Sequence, residues 1–140
     1  MTILTVVLMH DCYVNGKELE VFSHDLTKSF LLDDIINNVV DTLINSTRVG
    51  CIIKDDQFIT KLLFDGIPYI KKPNTIVGQC IVVSEFRRGL YAAIDAYNKP
   101  ILDEEERFRQ ATKEKMEEID YQKYLQLKER FKEREQNELQ

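Results

Sequence analysis

The first part of the chain changes near residue 29 from the two-residue period of a β-strand to the period of a helix. Residues 2–9 are mostly aliphatic or β-branched and predict a first strand. Asn15-Gly16 predicts a tight turn, because both residues tolerate positive φ angles. Residues 18–22 alternate charged and apolar side chains, which is typical of a half-buried antiparallel strand. The chain therefore opens with a predicted β-hairpin.

From residue 29 onward, apolar side chains recur at helical spacing over about four turns. Ser29 is the predicted N-cap, and the polar run from Asn45 to Thr47 predicts the end of the helix. The stripe is too apolar to face water, so we expect this helix to lie across a sheet. It consists of Leu32, Ile35, Ile36, Val39, Leu43 and Ile44.

Three further strands are predicted after this helix, at residues 49–53, 58–64 and 76–86. Asp65-Gly66 predicts a turn, and Pro68 and Pro73 confine residues 67–75 to a loop or a sheet edge because each proline lacks a backbone donor. The order strand, strand, helix, strand, strand, strand predicts an α+β fold. We expect a mixed sheet of four to five strands packed on one helix.

The last 40 residues differ from the rest in charge density and in period. Residues 1–100 carry 10 basic and 12 acidic side chains, whereas residues 101–140 carry 9 and 12. This segment has no Gly or Pro and predicts one long charged helix, preceded by a linker at 92–100 that Lys99-Pro100 interrupts. One reading is a solvated helix that folds back on its own domain. We favour a helix that reaches a partner, because 40 helical residues span about 60 Å.

This helix has a thin apolar face, which covers about 140° on a wheel of 3.6 residues per turn. Heptads are not maintained, so the pattern argues against a long self-associating coiled coil. We expect this face to contact a partner protein. It consists of Phe108, Met116, Ile119, Leu127 and Phe131.

Composition excludes several classes of protein. A net charge of -5 argues against a general nucleic-acid binder, and no apolar run is long enough to cross a bilayer. The three cysteines are odd in number and far apart, which argues against a disulfide framework. Cys51 and Cys80 lie in apolar runs and predict buried thiols. We expect a reducing, cytoplasmic compartment.

No residue pattern predicts catalysis. His10 and His24 are the only histidines, and although each has an Asp beside it in sequence, neighbours on a strand point to opposite faces. The histidines and cysteines show no metal-ligand spacing, and no glycine-rich phosphate loop is present. The sequence predicts no enzyme, no catalytic residue, no cofactor and no metal site.

Several short motifs follow one another along the first part of the chain. They are Asn15-Gly16, Phe30-Leu31-Leu32-Asp33, Leu63-Phe64-Asp65-Gly66-Ile67, Ile76-Val77-Gly78, Cys80-Ile81-Val82-Val83 and Glu85-Phe86-Arg87-Arg88 with Tyr91. With these motifs, the order of elements resembles the ubiquitin-like β-grasp superfamily, and within it the doublecortin domain. The resemblance covers about residues 3–91 and implies a domain at 1–91. For the doublecortin family it implies a non-catalytic structural protein that binds microtubules.

Under that resemblance, a small basic patch would bind tubulin, whose outer surface is acidic. A weakly charged module with a long helix suits the less acidic lumen of a ciliary microtubule, so we expect a cytoskeletal and axonemal location. Two alternatives stay open: the basic residues are scattered solvated charges, or the chain is a ubiquitin-like adaptor in a non-cytoskeletal complex. The candidate residues are Lys54, Lys61, Lys71, Lys72, Arg87 and Arg88.

Overall fold

The computed structural model describes residues 2–70 and 77–139. Its elements form an α+β fold, as predicted, with one β-sheet, one short helix and one long helix. A 3-10 turn at Asp55–Gln57 precedes the third strand. In chain order the strands and α-helices are β1 (Ile3–Cys12), β2 (Gly16–Asp25), α1 (Asp33–Ser46), β3 (Phe58–Phe64), β4 (Ile67–Pro68) and α2 (Val77–Glu138).

The sheet has the strand order β2-β1-β3-β4. Both predicted turns are confirmed: Gly16 has φ 80° at the β1–β2 connection, and Asp65 and Gly66 have φ 50° and 82° between β3 and β4. The expectation of a mixed sheet is wrong for the described strands, because all three pairings are antiparallel. The segment that was expected to add a further strand, from Val77 onward, is helical instead.

Two of the predicted strands are wrong. Residues 51–54 have no regular structure, and the apolar run from Val77 to Phe86 begins α2. Short β-branched runs do not by themselves distinguish a buried strand from a buried helix. The distinguishing feature is the continuation of the pattern at a spacing of three and four residues, through Val83, Phe86, Leu90 and Ile94, all of which are buried.

The helix α2 continues through the proline that was expected to interrupt it. Pro100 has no N–H group, so the carbonyl of Ala96 cannot receive its usual bond from this position. One missing bond is tolerated because long runs of good helix formers follow it. The segment 92–100, predicted as a linker, is helical as part of α2.

The hydrophobic core lies on one face of the sheet, where side chains from α1 and α2 pack on alternate residues of β1 and β3. The predicted apolar stripe from Leu32 to Ile44 is confirmed as buried or partly buried. The predicted N-cap is wrong, because Leu32 and not Ser29 precedes the first residue of α1. The chain divides into two compact units, Met1–Ile101 and Leu102–Gln140. In the second unit every described residue from 102 to 139 is exposed. No helix within the described ranges is long and apolar enough to cross a membrane.

Candidate functional site

The alternation of β2 exposes Leu19 and Val21 and places Glu18 and Glu20 on the core side of the strand. Phe22 packs against the core, and residues two and four positions before it, Glu20 and Glu18, therefore lie on the same face. Leu19 and Val21 are on the opposite face and are 61% and 57% exposed. The alternation itself was predicted. In an antiparallel sheet with one face on the core, however, the apolar side chains of a strand ordinarily face the core. Leu19 and Val21 therefore give β2 an exposed apolar face.

This surface, which we call the outer face, is continuous across three strands. Met9 of β1 pairs with Leu19 on one side and with Ile59 on the other, and Ile59 is 59% exposed. In the next row, Val7 pairs with Val21 and with Lys61. Directly opposite residues share a face at a Cβ separation of about 5 Å. The outer face thus consists of Val7, Met9, Leu19, Val21 and Ile59, with Lys61 at its margin.

A second feature lies on the core side of the same hairpin, where β1 places a histidine opposite a glutamate. His10 pairs with Glu18 in the sheet, and its side chain is fully buried. Nε2 of His10 lies 3.9 Å from Oε2 of Glu18 and 3.8 Å from Oε1 of Glu20. These distances exceed the 2.7–3.2 Å range of a hydrogen bond. Among the described residues, neither ring nitrogen of His10 has a hydrogen-bond partner.

The His10 cluster, formed by His10, Glu18 and Glu20, is accessible from solvent on its carboxylate side. The side chains of Glu18 and Glu20 are 31% and 41% exposed, and a cavity of about 370 Å³ opens beside His10 and Glu18. Asp56 and Gln57, from the 3-10 turn, line the same cavity. Imidazole nitrogen and carboxylate oxygen are ligand types that divalent transition metals accept.

The basic residues that were proposed as a single patch occupy different parts of the fold. Lys61 is exposed on the outer face of β3, and Lys54 is exposed just before the 3-10 turn. Arg87 and Arg88 belong to α2, which packs on the core side of the sheet through Phe86 and Leu90. Arg88 is also paired with Glu85, at 2.6 Å. Lys71 and Lys72 lie outside the described residues.

The apolar face of the second unit is present and exposed. Its members are 47–75% exposed, with Phe108 the most exposed and Ile119 the least. Two tyrosines of the same unit, Tyr121 and Tyr124, stack with ring centroids 6.5 Å apart. The five predicted residues (Phe108, Met116, Ile119, Leu127 and Phe131) therefore remain available for contact.

The cysteines are free thiols, and one of the two expected to be buried is not. Cys51 is exposed, because the segment around it is not a strand but the loop after α1. Cys80 is half-buried and shares a hydrogen bond of 3.4 Å with the hydroxyl of Tyr69. This hydrogen bond and burial raise the pKa of Tyr69. The pair connects the segment after β4 to the first turns of α2.

Sequence reasoning missed both the outer face and the His10 cluster. The cluster had a detectable signal. His10 lies six residues before the hairpin glycine and Glu18 lies two after it, and in a hairpin closed by Cys12 and Gly16 these two positions are cross-strand partners. The arrangement can bind a protein through its apolar face and a cation through its carboxylates.

Comparison with protein-family models, with curated proteins and with solved structures finds no match for this chain.

Proposed function

We propose that this chain is a non-catalytic adaptor that docks onto another protein through the outer face of its sheet. The observation that carries this proposal is the phase of β2, which directs Leu19 and Val21 to the exposed side while Glu18 and Glu20 face inward. Contiguous apolar patches on a protein surface commonly mark interaction sites. A partner that covers the outer face would remove these side chains from water.

The partner's surface can be described from the charges that border the outer face. Lys61 is the charged residue in the row of Val7 and Val21. At the end of the sheet Asp11 pairs with Lys17, so those two charges offset one another. The outer face therefore favours a partner with an apolar centre and an acidic group positioned near Lys61.

The test is a comparison of partners captured by proximity labelling in cells with three forms of the full chain. We expect Leu19→Glu combined with Ile59→Glu to lose specific partners of the wild type, because each carboxylate would be desolvated on docking. The matched control is Val49→Glu, which alters an apolar side chain that is 99% exposed and away from the sheet. The same partners captured at the same level by the double variant would contradict the proposal.

The second unit supports the adaptor proposal with a second surface of a different kind. An exposed apolar stripe on a charged helix is the form that docks into a hydrophobic groove. We expect Phe108→Glu combined with Phe131→Glu to lose a different set of partners from the sheet variant. The control is Leu139→Glu, since Leu139 is 88% exposed and lies after the end of α2. Loss of the same set by both double variants would instead indicate one partner that spans both surfaces.

Microtubule binding is a second candidate function. It is supported by the resemblance to doublecortin domains and by the position of Lys61, which adds a positive charge to the outer face. The hairpin that leads into a helix packed on the same sheet supports kinship with the β-grasp superfamily. Tubulin in microtubules would be the partner, and the cytoskeleton or the ciliary axoneme would be the location.

Co-sedimentation with polymerised tubulin tests this second candidate. We expect binding that weakens with added salt and that Lys54→Glu combined with Lys61→Glu reduces. Lys99→Glu is the control, because Lys99 is exposed on α2 rather than beside the sheet. The wild-type chain should be tested at low salt with single microtubules and with opened axonemal doublets. If it is absent from the pellet in both cases, microtubule binding is contradicted. The adaptor proposal would then be unaffected.

A further inference from the structure

We propose that His10, Glu18 and Glu20 form a binding site for a divalent transition-metal ion of the Zn²⁺ class. The three ligand atoms lie within 4.8 Å of one another. They are Nε2 of a fully buried imidazole and one oxygen from each of two partly exposed carboxylates.

His10 has no hydrogen-bond partner at either ring nitrogen within the described part of the chain. A buried polar atom in this state is destabilising. Nε2 is directed toward the two carboxylates, yet at 3.8 and 3.9 Å it bonds to neither. A metal ion placed between these atoms would be a partner for Nε2 and for both carboxylates.

The two carboxylates lie close to each other. Glu18 and Glu20 lie on the same face of β2, and their nearest oxygens are within 4.8 Å. Two ionised carboxylates at this separation repel each other. A cation bound between them would turn this repulsion into attraction, and it would do so without further burial of either side chain.

The spacing favours a metal ion over a proton on His10. A proton on Nε2 of His10 would need a carboxylate oxygen at 2.7–3.2 Å, which is a larger movement from 3.8 and 3.9 Å than a metal ion requires. Two ligands of a tetrahedral Zn²⁺ ion, each about 2.0–2.2 Å from the metal, lie roughly 3.3–3.5 Å apart. The observed Nε2–oxygen separations of 3.8 and 3.9 Å reach that range if the flexible glutamates move by roughly half an ångström. The two carboxylate oxygens, which lie within 4.8 Å of each other, would also have to approach each other around the ion.

Ligand chemistry narrows the identity of the ion. An imidazole nitrogen combined with carboxylates suits Zn²⁺ and related transition ions, whereas Mg²⁺ and Ca²⁺ prefer all-oxygen sites. Three protein ligands leave one position for water or a partner's side chain. Because β2 is an edge strand of the sheet, the ion would also link this edge to β1.

The experiment is a titration of the metal-free full chain with Zn²⁺, followed by nitrogen NMR of its imidazoles. Only two histidines are present, and His24 is an internal control because its Nε2 is 2.8 Å from the carbonyl oxygen of Ser29. We expect one equivalent of Zn²⁺ to shift Nε2 of His10 and leave His24 unchanged. Mg²⁺ should shift neither resonance.

Two variants test the carboxylates without altering the buried histidine. Glu18→Gln and Glu20→Gln should each lower Zn²⁺ affinity at least about tenfold, a loss that outer partners of metal sites already produce. Glu85→Gln, which changes a glutamate on α2, should leave affinity unchanged. Three results would overturn the proposal. Zinc could bind and leave the Nε2 resonance of His10 unshifted, it could bind with unchanged affinity to both variants, or it could bind through the free cysteines.

Discussion

The side chain of Asn98 in α2 binds both backbone polar groups of Ile53. Its Oδ1 accepts a hydrogen bond of 2.8 Å from the N–H of Ile53, and its Nδ2 donates one of 2.8 Å to the carbonyl oxygen. Asn98 is 8% exposed, and Ile53 is part of the hydrophobic core. The amide thus replaces the pairing that a neighbouring strand would give, which explains how an irregular segment can be buried here.

Asn98→Ala should strongly destabilise the fold. The substitution leaves a buried N–H and a buried C=O of Ile53 without partners, and we expect a loss of about 2–4 kcal/mol in the free energy of unfolding. Urea unfolding followed by circular dichroism measures this loss. Asn37→Ala is the matched control, because Asn37 is exposed on α1 and should change stability by about 0.5 kcal/mol or less. Equal effects of the two substitutions would contradict the assigned role of Asn98.

Phe86→Ala tests the packing of α2 against the sheet. Phe86 has 0% exposure, and removal of a buried phenylalanine ring typically costs about 3–5 kcal/mol. Phe108→Ala, in the same helix, changes a ring that is 75% exposed and should have an effect of about 0.5 kcal/mol or less. Denaturant unfolding compares the two variants directly. A small effect at Phe86 would show that this part of α2 does not pack in the core.

Local patterns predicted the hairpin, α1 and the long helix, because each has a signal within a few residues. The turn at Asp65-Gly66 is fixed by residues that adopt positive φ angles. By contrast, the run that includes Cys80 and Val83 satisfies both strand and helix patterns. Its helical state depends on contacts with α1 and the sheet, such as those of Phe86, which a short sequence window does not contain.

The candidate sites were less predictable than the fold, because they depend on strand phase and register. Alternation in β2 shows that two faces exist, but Phe22, at its centre, is the residue that assigns Glu20 to the core side. A shift of one residue would exchange the two faces. The His10 cluster further requires the pairing of His10 with Glu18, which follows from the hairpin register and not from adjacency in the sequence.

Asp25 should make stability depend on pH in the acidic range. Its carboxylate accepts hydrogen bonds from the hydroxyl and the backbone N–H of Thr27, and these bonds hold its pKa below the ordinary value of 3.8. Because the pKa is lower in the folded chain, the stabilising effect is present above the unfolded pKa. It is lost as pH falls through the folded pKa.

Carboxyl NMR titration of the folded chain tests this assignment. Thr27→Val removes the hydroxyl donor, which is the largest cause of the shift, and should raise the pKa of Asp25 toward its ordinary value. Asp25→Asn should remove this residue's share of the acid-induced loss of stability, since an amide does not titrate in this range. An unchanged pKa in the Thr27→Val variant would contradict the role of that hydroxyl.

Gly89 marks a close approach of α2 to α1. A Cβ atom at this position would lie 2.6 Å from Cδ1 of Ile36 and 3.8 Å from its Cγ1. Ile36 is 6% exposed, so its side chain has little room to turn aside. We expect Gly89→Ala to be destabilising by about 1 kcal/mol, because overpacking outweighs the gain of about 1 kcal/mol in helix propensity.

Ile36→Val should reverse the sign of this effect, because valine lacks the Cδ1 atom that the new methyl group would meet. In the Ile36→Val background, Gly89→Ala should be neutral or stabilising, which corresponds to a favourable coupling of about 1 kcal/mol or more. Gly78→Ala is the matched control in the same helix, since a Cβ there meets no atom within 4 Å, and it should show no coupling to Ile36. The coupling is measured from the free energies of unfolding in urea of the wild type, the two single variants and the double variant. Additive effects at Gly89 and Ile36 would show that the two helices do not meet at this point.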